Sequence, residues 1–337
     1  MASWAEIQKS LNAVPPPLRG QWLQDKAQIE LSRLEKATGR NVIIYASGYL
    51  QKPQVAGAFL AIGPEDINGF MACVHNLDCS KGLLLLLHTP GGSAEAAETI
   101  VAYLWSKFDK IDVLIPTYAM SAGTMIAMAA DNIIMGRQSQ LGPTDPQIIM
   151  NNVSNSAHSI VEQFKEAVRE IKKNPAVAGA WVPILQPFGP ALLQSARKAL
   201  SYGQQLVTKW LEQRMLRGQK DAVKLARKIA KHFGGAQHGS HGHRIDRDEG
   251  RKLGLKITDL EDDKEIQDAA LSLYHVVTTA FEHGPACKIV VSTNGDNWIK
   301  NIPIPVMPQF MPFPIPGLSG PGMPPISPPA PATPPKS

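Results

Sequence analysis

Short apolar runs alternate with helical periods between Asn41 and Met135. Val42-Ile43-Ile44-Tyr45 predicts a strand, and Pro64 to Asn76 predicts a helix with Ile67, Phe70, Met71 and Val74 on one face. Five consecutive leucines within Gly82 to His88 suit a strand buried on both sides. Ser93 to Phe108 follows as a helix with Ser93 as its N-cap. Ile111 to Pro116 is the next strand, Ala122 to Ala130 a helix of small residues, and Asn132 to Met135 another strand. Strands that alternate with helices predict an α/β fold, a mainly parallel sheet with helices packed outside it.

Beyond Met135 the pattern turns helical. Ser154 to Lys173 carries Ile160, Val161, Phe164, Val168 and Ile171 at three- and four-residue spacing, and Pro175, Pro183, Pro187 and Pro190 interrupt the next stretch of chain. One long basic helical region is expected from Ala191 to His232, with Leu206, Trp210, Leu211, Val223 and Ile229 among its apolar positions. A Gly/His-rich loop, Gly234 to His243, precedes a short helix at Arg247–Leu253, an amphipathic helix at Lys264–Phe281 and a late strand at Lys288–Ser292. At the front, Met1 to Glu35 is broken by Pro15–Pro17 and mixes Trp4, Ile7 and Leu11 with charges. The expected organisation is an N-terminal helical segment (1–40), one catalytic-size domain (41–300) and a tail (301–337).

Composition narrows the class. The chain has 337 residues, and 14 of its 28 prolines follow Asn301, so the tail reads as a disordered or polyproline-like extension. Thirty-four Lys+Arg against 29 Asp+Glu leave a net charge of only +5, with no basic run interleaved with aromatics. That argues against nucleic acid as a partner, since such binding rests on neutralised phosphates. Cys73, Cys79 and Cys287 are odd in number and lack CxxC spacing, against a disulfide scaffold or a zinc knuckle. No charged start leads into an apolar stretch, and no apolar stretch approaches the roughly 18 residues of a membrane span. A soluble cytoplasmic protein is expected. The cations of the 191–232 region read as a wet face; peripheral contact with acidic lipid, or with a neighbouring subunit, is the alternative.

Three patches carry candidate chemistry, each where a strand hands over to a helix or loop. In His88-Thr89-Pro90-Gly91-Gly92-Ser93 two glycines allow a sharp turn and free backbone amides that can bind an oxyanion. In Tyr118-Ala119-Met120-Ser121-Ala122-Gly123-Thr124 the Ser121 hydroxyl projects from a tight turn, beside small neighbours that leave room for a carbonyl. Taken alone, Ser121 reads first as an N-cap, the commoner fate of a serine before a helix. In Ser139-Gln140-Leu141-Gly142-Pro143-Thr144-Asp145-Pro146-Gln147 two prolines hold Asp145 in place, where an Asp otherwise caps turn amides.

Together, in order and spacing, these patches resemble the Clp-protease/crotonase superfamily, and most closely the serine dehydrogenase proteinase family. The similarity continues through Ser240-His241-Gly242-His243-Arg244-Ile245 to Gly254-Leu255. The resemblance implies a Clp/crotonase-like repeated ββα core with added helices, and a serine-type endopeptidase acting on peptide or protein through an acyl-enzyme, with no cofactor. It also implies a homo-oligomer. Carried over by position, Ser121 is the nucleophile, Asp145 the orienting acid and His241 the base, with Gly91, Gly92 and Ala122 around the oxyanion.

Alternatives stay open on the residues themselves. His238 and His243 share the loop with His241, so either could be the base. A His-x-His pair with Asp246 or Asp248 is a conceivable metal site, but no established metal motif has this spacing. Signal peptide peptidase A, in the same superfamily, uses a lysine base. Here Lys165, beside Phe164, is the nearest candidate, although Glu162, Glu166 and Arg169 surround it. From other classes come a crotonase-like enzyme acting on acyl-CoA and a proteolytically silent scaffold.

Overall fold

The computed structural model describes residues 3–302 apart from 151, 152, 187, 188 and 190; the expectation for the tail from residue 303 onward lies outside them. Two helices lead in, α1 (Trp4–Asn12) and α2 (Arg19–Thr38), and Gly39 ends α2 in the left-handed conformation at φ 66°. The next strands and helices are β1 (Asn41–Ser47), α3 (Gly57–Leu60), α4 (Asp66–Val74), β2 (Leu83–His88), α5 (Ala94–Lys107), β3 (Ile111–Ile115), β4 (Tyr118–Ala119), α6 (Ala122–Met128), β5 (Asn132–Met135) and β6 (Gln140–Leu141). A hairpin, β7 (Gln147–Met150) and β8 (Val153–Ser156), leads into α7 (Ala157–Lys173), α8 (Ala178–Leu185), α9 (Leu192–Gln213) and α10 (Ala222–Phe233). The chain then runs through α11 (Arg247–Leu253), β9 (Ile257–Asp259), α12 (Lys264–His283), β10 (Ala286–Ser292) and β11 (Asn297–Asn301).

Seven strands form the central sheet in the order β11-β10-β1-β2-β3-β5-β9. The run from β1 to β9 is parallel, and β10 and β11 add antiparallel to one edge. The leucine strand shows why the sheet needs helices on both sides. Leu83, Leu85 and Leu87 enter one core with α4, α5, α6, α9 and α10, while Leu84 and Leu86 enter the other with α2 and α12. Strand alternation therefore turns five leucines into two cores.

Some apolar positions sit elsewhere than the pattern predicted. In α4 the buried face is Asp66, Gly69, Phe70, Cys73 and Val74, which turns Met71 outward to 50% exposure. Val168 and Val223, expected inward on their helices, are exposed as well. The long region 191–232 is two helices, because the chain turns at Arg214 and passes Gly218 at φ 80° before α10 starts. Residues 154–156, expected as helix, belong to strand β8, and Ser156 caps α7 by accepting the His158 amide. The consequence for function lies at the carboxyl ends of β2, β3 and β5. The three chemistry-bearing patches all leave the sheet there, the usual location of sites in parallel α/β sheets.

Candidate active site

Ser121 stands at φ 49°, ψ −117°, the one positive-φ residue besides glycines among the described residues. Such backbone carries strain for an L-residue and recurs at sharp strand-to-helix turns that expose a nucleophile. The alternative reading as an N-cap does not hold, because the Ser121 side chain makes no capping bond to α6. Ser121 lines a groove of about 960 Å³ together with Tyr49, Leu60, Gly92, Ala122, Tyr202 and His241.

The glycine turn lies directly behind this serine. Thr89 and Ala119 pair side by side, with the Thr89 amide bonded to Tyr118 O at 3.0 Å and the Met120 amide to Thr89 O at 3.1 Å. A β-carbon on Gly91, whose φ is 97°, would lie 2.6 Å from both Met120 O and Ser121 Cβ. Only glycine fits so close an approach. The Gly91 amide itself donates to Thr89 Oγ1 at 3.1 Å, so it is occupied, which removes Gly91 from the expected set of oxyanion donors. Gly91 O accepts the Ile62 amide at 2.7 Å. In a trans peptide the following N–H points the opposite way, which turns the Gly92 amide away from Ile62. Gly92 and Ala122, the first residue of α6, both line the groove beside Ser121.

Asp145 and His241 are 96 residues apart, yet Asp145 Oδ1 lies 2.7 Å from His241 Nδ1. The loop carrying His241 is pinned at both ends to the segment carrying Asp145. Before it, the Thr144 amide bonds Phe233 O at 2.8 Å; after it, Leu141 and Ile245 exchange both backbone bonds at 2.9 Å. Asp145 is 7% exposed, and its other oxygen takes Gln147 Nε2 at 2.7 Å and Ser156 Oγ at 3.2 Å. An imidazole that donates Nδ1–H to this carboxylate has Nε2 as its acceptor, the arrangement a general base requires; Gln147 Nε2 also lies 3.2 Å from Nδ1. Thr124 joins the serine and aspartate segments: its hydroxyl lies 2.7 Å from Ala119 O and 2.9 Å from Gly142 O, and accepts the Gly142 amide at 3.0 Å.

The alternative bases are placed differently. His238 Nε2 is held by His232 O at 2.7 Å, and His243 stacks on the His238 ring at 5.1 Å in an exposed position. Lys165, at 56% side-chain exposure, pairs with Glu162 of its own helix. None of the three lines the groove that holds Ser121. Asp246 caps α11 through the Asp248 and Glu249 amides, and among the described residues no cluster of three or more His, Cys, Asp or Glu could hold a metal ion. His88, next to the glycine turn, is fully buried at the end of β2 among the rings of Tyr49, Tyr118 and Tyr274, with Nδ1 3.0 Å from Thr117 Oγ1. Burial lowers its pKa to about 3, so it stays a neutral packing group.

Sequence reasoning passed over several supports. Gln147 and Ser156 hold the second oxygen of Asp145; Gln147 stood inside the aspartate motif without a role, and Ser156 lay in a stretch read as helix. Ile62 pairs with Gly92 from outside every motif. Among the described residues no helix is long and apolar enough to cross a membrane.

The family of ClpP-like SDH-type serine proteinases matches over residues 57–278. Two uncharacterized proteins of Methanocaldococcus jannaschii are similar over shorter stretches. One is 53% identical over 64 residues, 19% of this chain and 22% of that protein. The other is 42% identical over 84 residues, 25% of this chain and 29% of that protein. These matches span less than a third of the length of either curated relative. Among solved structures, the 1510-N membrane-bound stomatin-specific protease, in a serine-to-alanine variant, aligns with a TM-score of 0.38 and 17% identity over 62% of this chain and 79% of that one. The family match begins at α3, ends within α12 and takes in Gly91, Gly92, Ser121, Asp145 and His241, and the chain belongs to the ClpP-like SDH-type serine proteinases.

Proposed function

We propose that the protein is a serine endopeptidase that works through Ser121, His241 and Asp145. The observation that carries this reading is the 2.7 Å contact between Asp145 and His241 Nδ1, made at the edge of the groove that Ser121 faces. A peptide lies in the groove with its scissile carbonyl over Ser121. The Oγ attacks the carbonyl carbon as its proton passes to His241 Nε2, and the Nδ1–H stays on the Asp145 carboxylate, which supports the imidazolium. The Gly92 and Ala122 amides receive the oxyanion. The imidazolium then gives its proton to the leaving amine, and water, deprotonated by the same nitrogen, hydrolyses the ester and restores Ser121.

A second base is less well supported, because Lys165 has its own carboxylate partner and high exposure. Two features favour this reading over a silent scaffold: a serine in strained backbone, and a carboxylate on one nitrogen of a histidine that lines the same groove.

A fluorophosphonate probe on the full chain tests the reading. Wild type is expected to label covalently at Ser121, and Ser121→Ala to lose the label while keeping its fold. Folded wild-type protein that does not label, or a Ser121→Ala chain that labels equally, overturns it.

A further inference from the structure

Two fully buried charges lie on the far side of the glycine turn from Ser121. Lys288 on β10 and Asp66 at the start of α4 are each 0% exposed and form an ion pair. Every polar atom of the pair is used. Asp66 Oδ1 meets Lys288 Nζ, and Oδ2 accepts the Tyr45 hydroxyl at 2.8 Å and the Gly63 amide at 2.9 Å. Burial first, and then the Asp66 carboxylate, push the Tyr45 phenol well above its usual range, so it remains a donor. Lys288 Nζ also donates to Ala61 O at 3.0 Å.

Sinking an ion pair into a core is seldom the most stable choice, since desolvation offsets much of the attraction and an apolar pair often does as well. What this pair holds suggests another use. Ser47 and Lys288 stand directly opposite each other on β1 and β10. Ser47 Oγ donates to Leu60 O at 2.7 Å and Lys288 to Ala61 O, while Asp66 takes the Gly63 amide. Three of the four residues from Leu60 to Gly63 are thereby fixed to the sheet or to α4. The fourth, Ile62, is the one whose backbone bonds the glycine turn. Its amide donates to Gly91 O at 2.7 Å and its carbonyl accepts the Ser93 amide at 3.0 Å. The Gly91–Gly92 peptide plane, which carries the Gly92 N–H on its opposite edge, therefore takes its orientation from Ile62.

We infer that Lys288, with Asp66 and Ser47, is a positioning residue for the Gly92 oxyanion donor, acting through the Leu60–Gly63 segment. This rests on the serine-peptidase reading and extends it to residues that touch neither Ser121 nor substrate. The path is short: Lys288 Nζ holds Ala61 O, Ile62 N holds Gly91 O, and the peptide plane turns Gly92 N–H toward the groove. Oxyanion donors act by being preorganised, so a small tilt in that plane lowers the rate of bond making with little effect on peptide binding.

The test uses the full chain and four variants: Lys288→Met, the double variant Lys288→Met/Asp66→Asn, Ser47→Ala and Ser121→Ala as the blank. Three quantities are read: the second-order rate of fluorophosphonate labelling, kcat and KM on fluorescein-labelled casein, and the melting temperature. Lys288→Met strands a buried carboxylate, so both its stability and its labelling rate fall, the latter by about 10²-fold, the loss typical of a misplaced reacting geometry. Removing both charges relieves the stranded carboxylate. The double variant is therefore expected to regain melting temperature over Lys288→Met while labelling and kcat stay low and KM stays within twofold of wild type. Ser47→Ala, the mildest change, keeps the ion pair and is expected to slow labelling several-fold. Labelling that returns together with stability in the double variant, with Ser47→Ala at the wild-type rate, makes the pair purely structural and overturns this inference alone. Wild-type protein that does not label at Ser121 overturns the peptidase reading and the inference with it.

Discussion

Gly92 sits so close to Ile62 that a β-carbon on the glycine would fall 2.3 Å from the Ile62 carbonyl oxygen and 2.5 Å from its nitrogen. Both atoms are backbone, so neither can swing aside. Gly92→Ala must break the bridge between the two segments. It is expected to lower stability by at least about 2 kcal/mol, from overpacking and a φ unsuited to alanine, and to slow Ser121 labelling by ~10²-fold or more. Gly39→Ala is the control, with a left-handed φ of 66° and nothing within 4 Å of the added carbon. Thermal unfolding and probe labelling of both variants, side by side, check this; equal labelling loss in the two would point to general destabilisation.

Asp145 bonds to His241 Nδ1 at 2.7 Å and takes two further donors on its other oxygen. Asp145→Asn keeps the size of the side chain but can present an amide N–H to Nδ1, which forces the proton onto Nε2, the wrong nitrogen for a base. A fall in kcat of about 10⁴-fold is expected, by analogy with the same exchange in other serine proteases, with the melting temperature nearly unchanged. Steady-state kinetics on casein and a melting curve decide it.

His238, His243 and Lys165 make no contact with Asp145 and do not line the groove with Ser121. Alanine at each in turn is expected to leave the labelling rate within about twofold of wild type. For Lys165→Ala the lost ion pair is exposed to water and contributes little to folding. A labelling rate abolished by any one of these substitutions would reassign the base.

His88 gives the stability a pH dependence of known sign. Its pKa falls to about 3 in the fold from about 6.5 in an unfolded chain. Between those values the unfolded chain binds one more proton than the native one, so folding weakens as the pH drops, by about 1.4 kcal/mol per pH unit from this residue. His88→Asn can keep a hydrogen bond to Thr117 while removing the titration. The stability gap between wild type and His88→Asn is expected to shrink as pH falls from 6.5 toward 4, by denaturant unfolding at each pH. A gap that stays constant over that range contradicts it.

The layers were legible because they follow from period and punctuation. The leucine run announced a strand buried on both faces, and the Ser93 cap and the glycine pair marked where it turned into a helix. Ser121, Asp145 and His241 came from ordered motifs together with family resemblance, since nothing local distinguishes an Asp in a turn from one that orients a base. The supports were hidden for a physical reason: they are long-range backbone contacts. Ile62 looks like any apolar residue before a glycine, and its job is done by its amide and carbonyl. Asp66 and Lys288 are residue types that usually face water. A trace was present in Ala286-Cys287-Lys288-Ile289-Val290, where period-two alternation puts the lysine on the same face as the buried Val290.

The serine turn has an evolutionary side. At φ 49°, ψ −117° the backbone of Ser121 occupies ground that glycine takes freely, and holding a serine there costs about 1–3 kcal/mol. On the proposed peptidase reading, glycine at that place would give a steadier fold without a nucleophile. If the proposed chemistry holds, stability and reactivity pull in opposite directions at this one codon, and the serine there is the less stable choice of backbone.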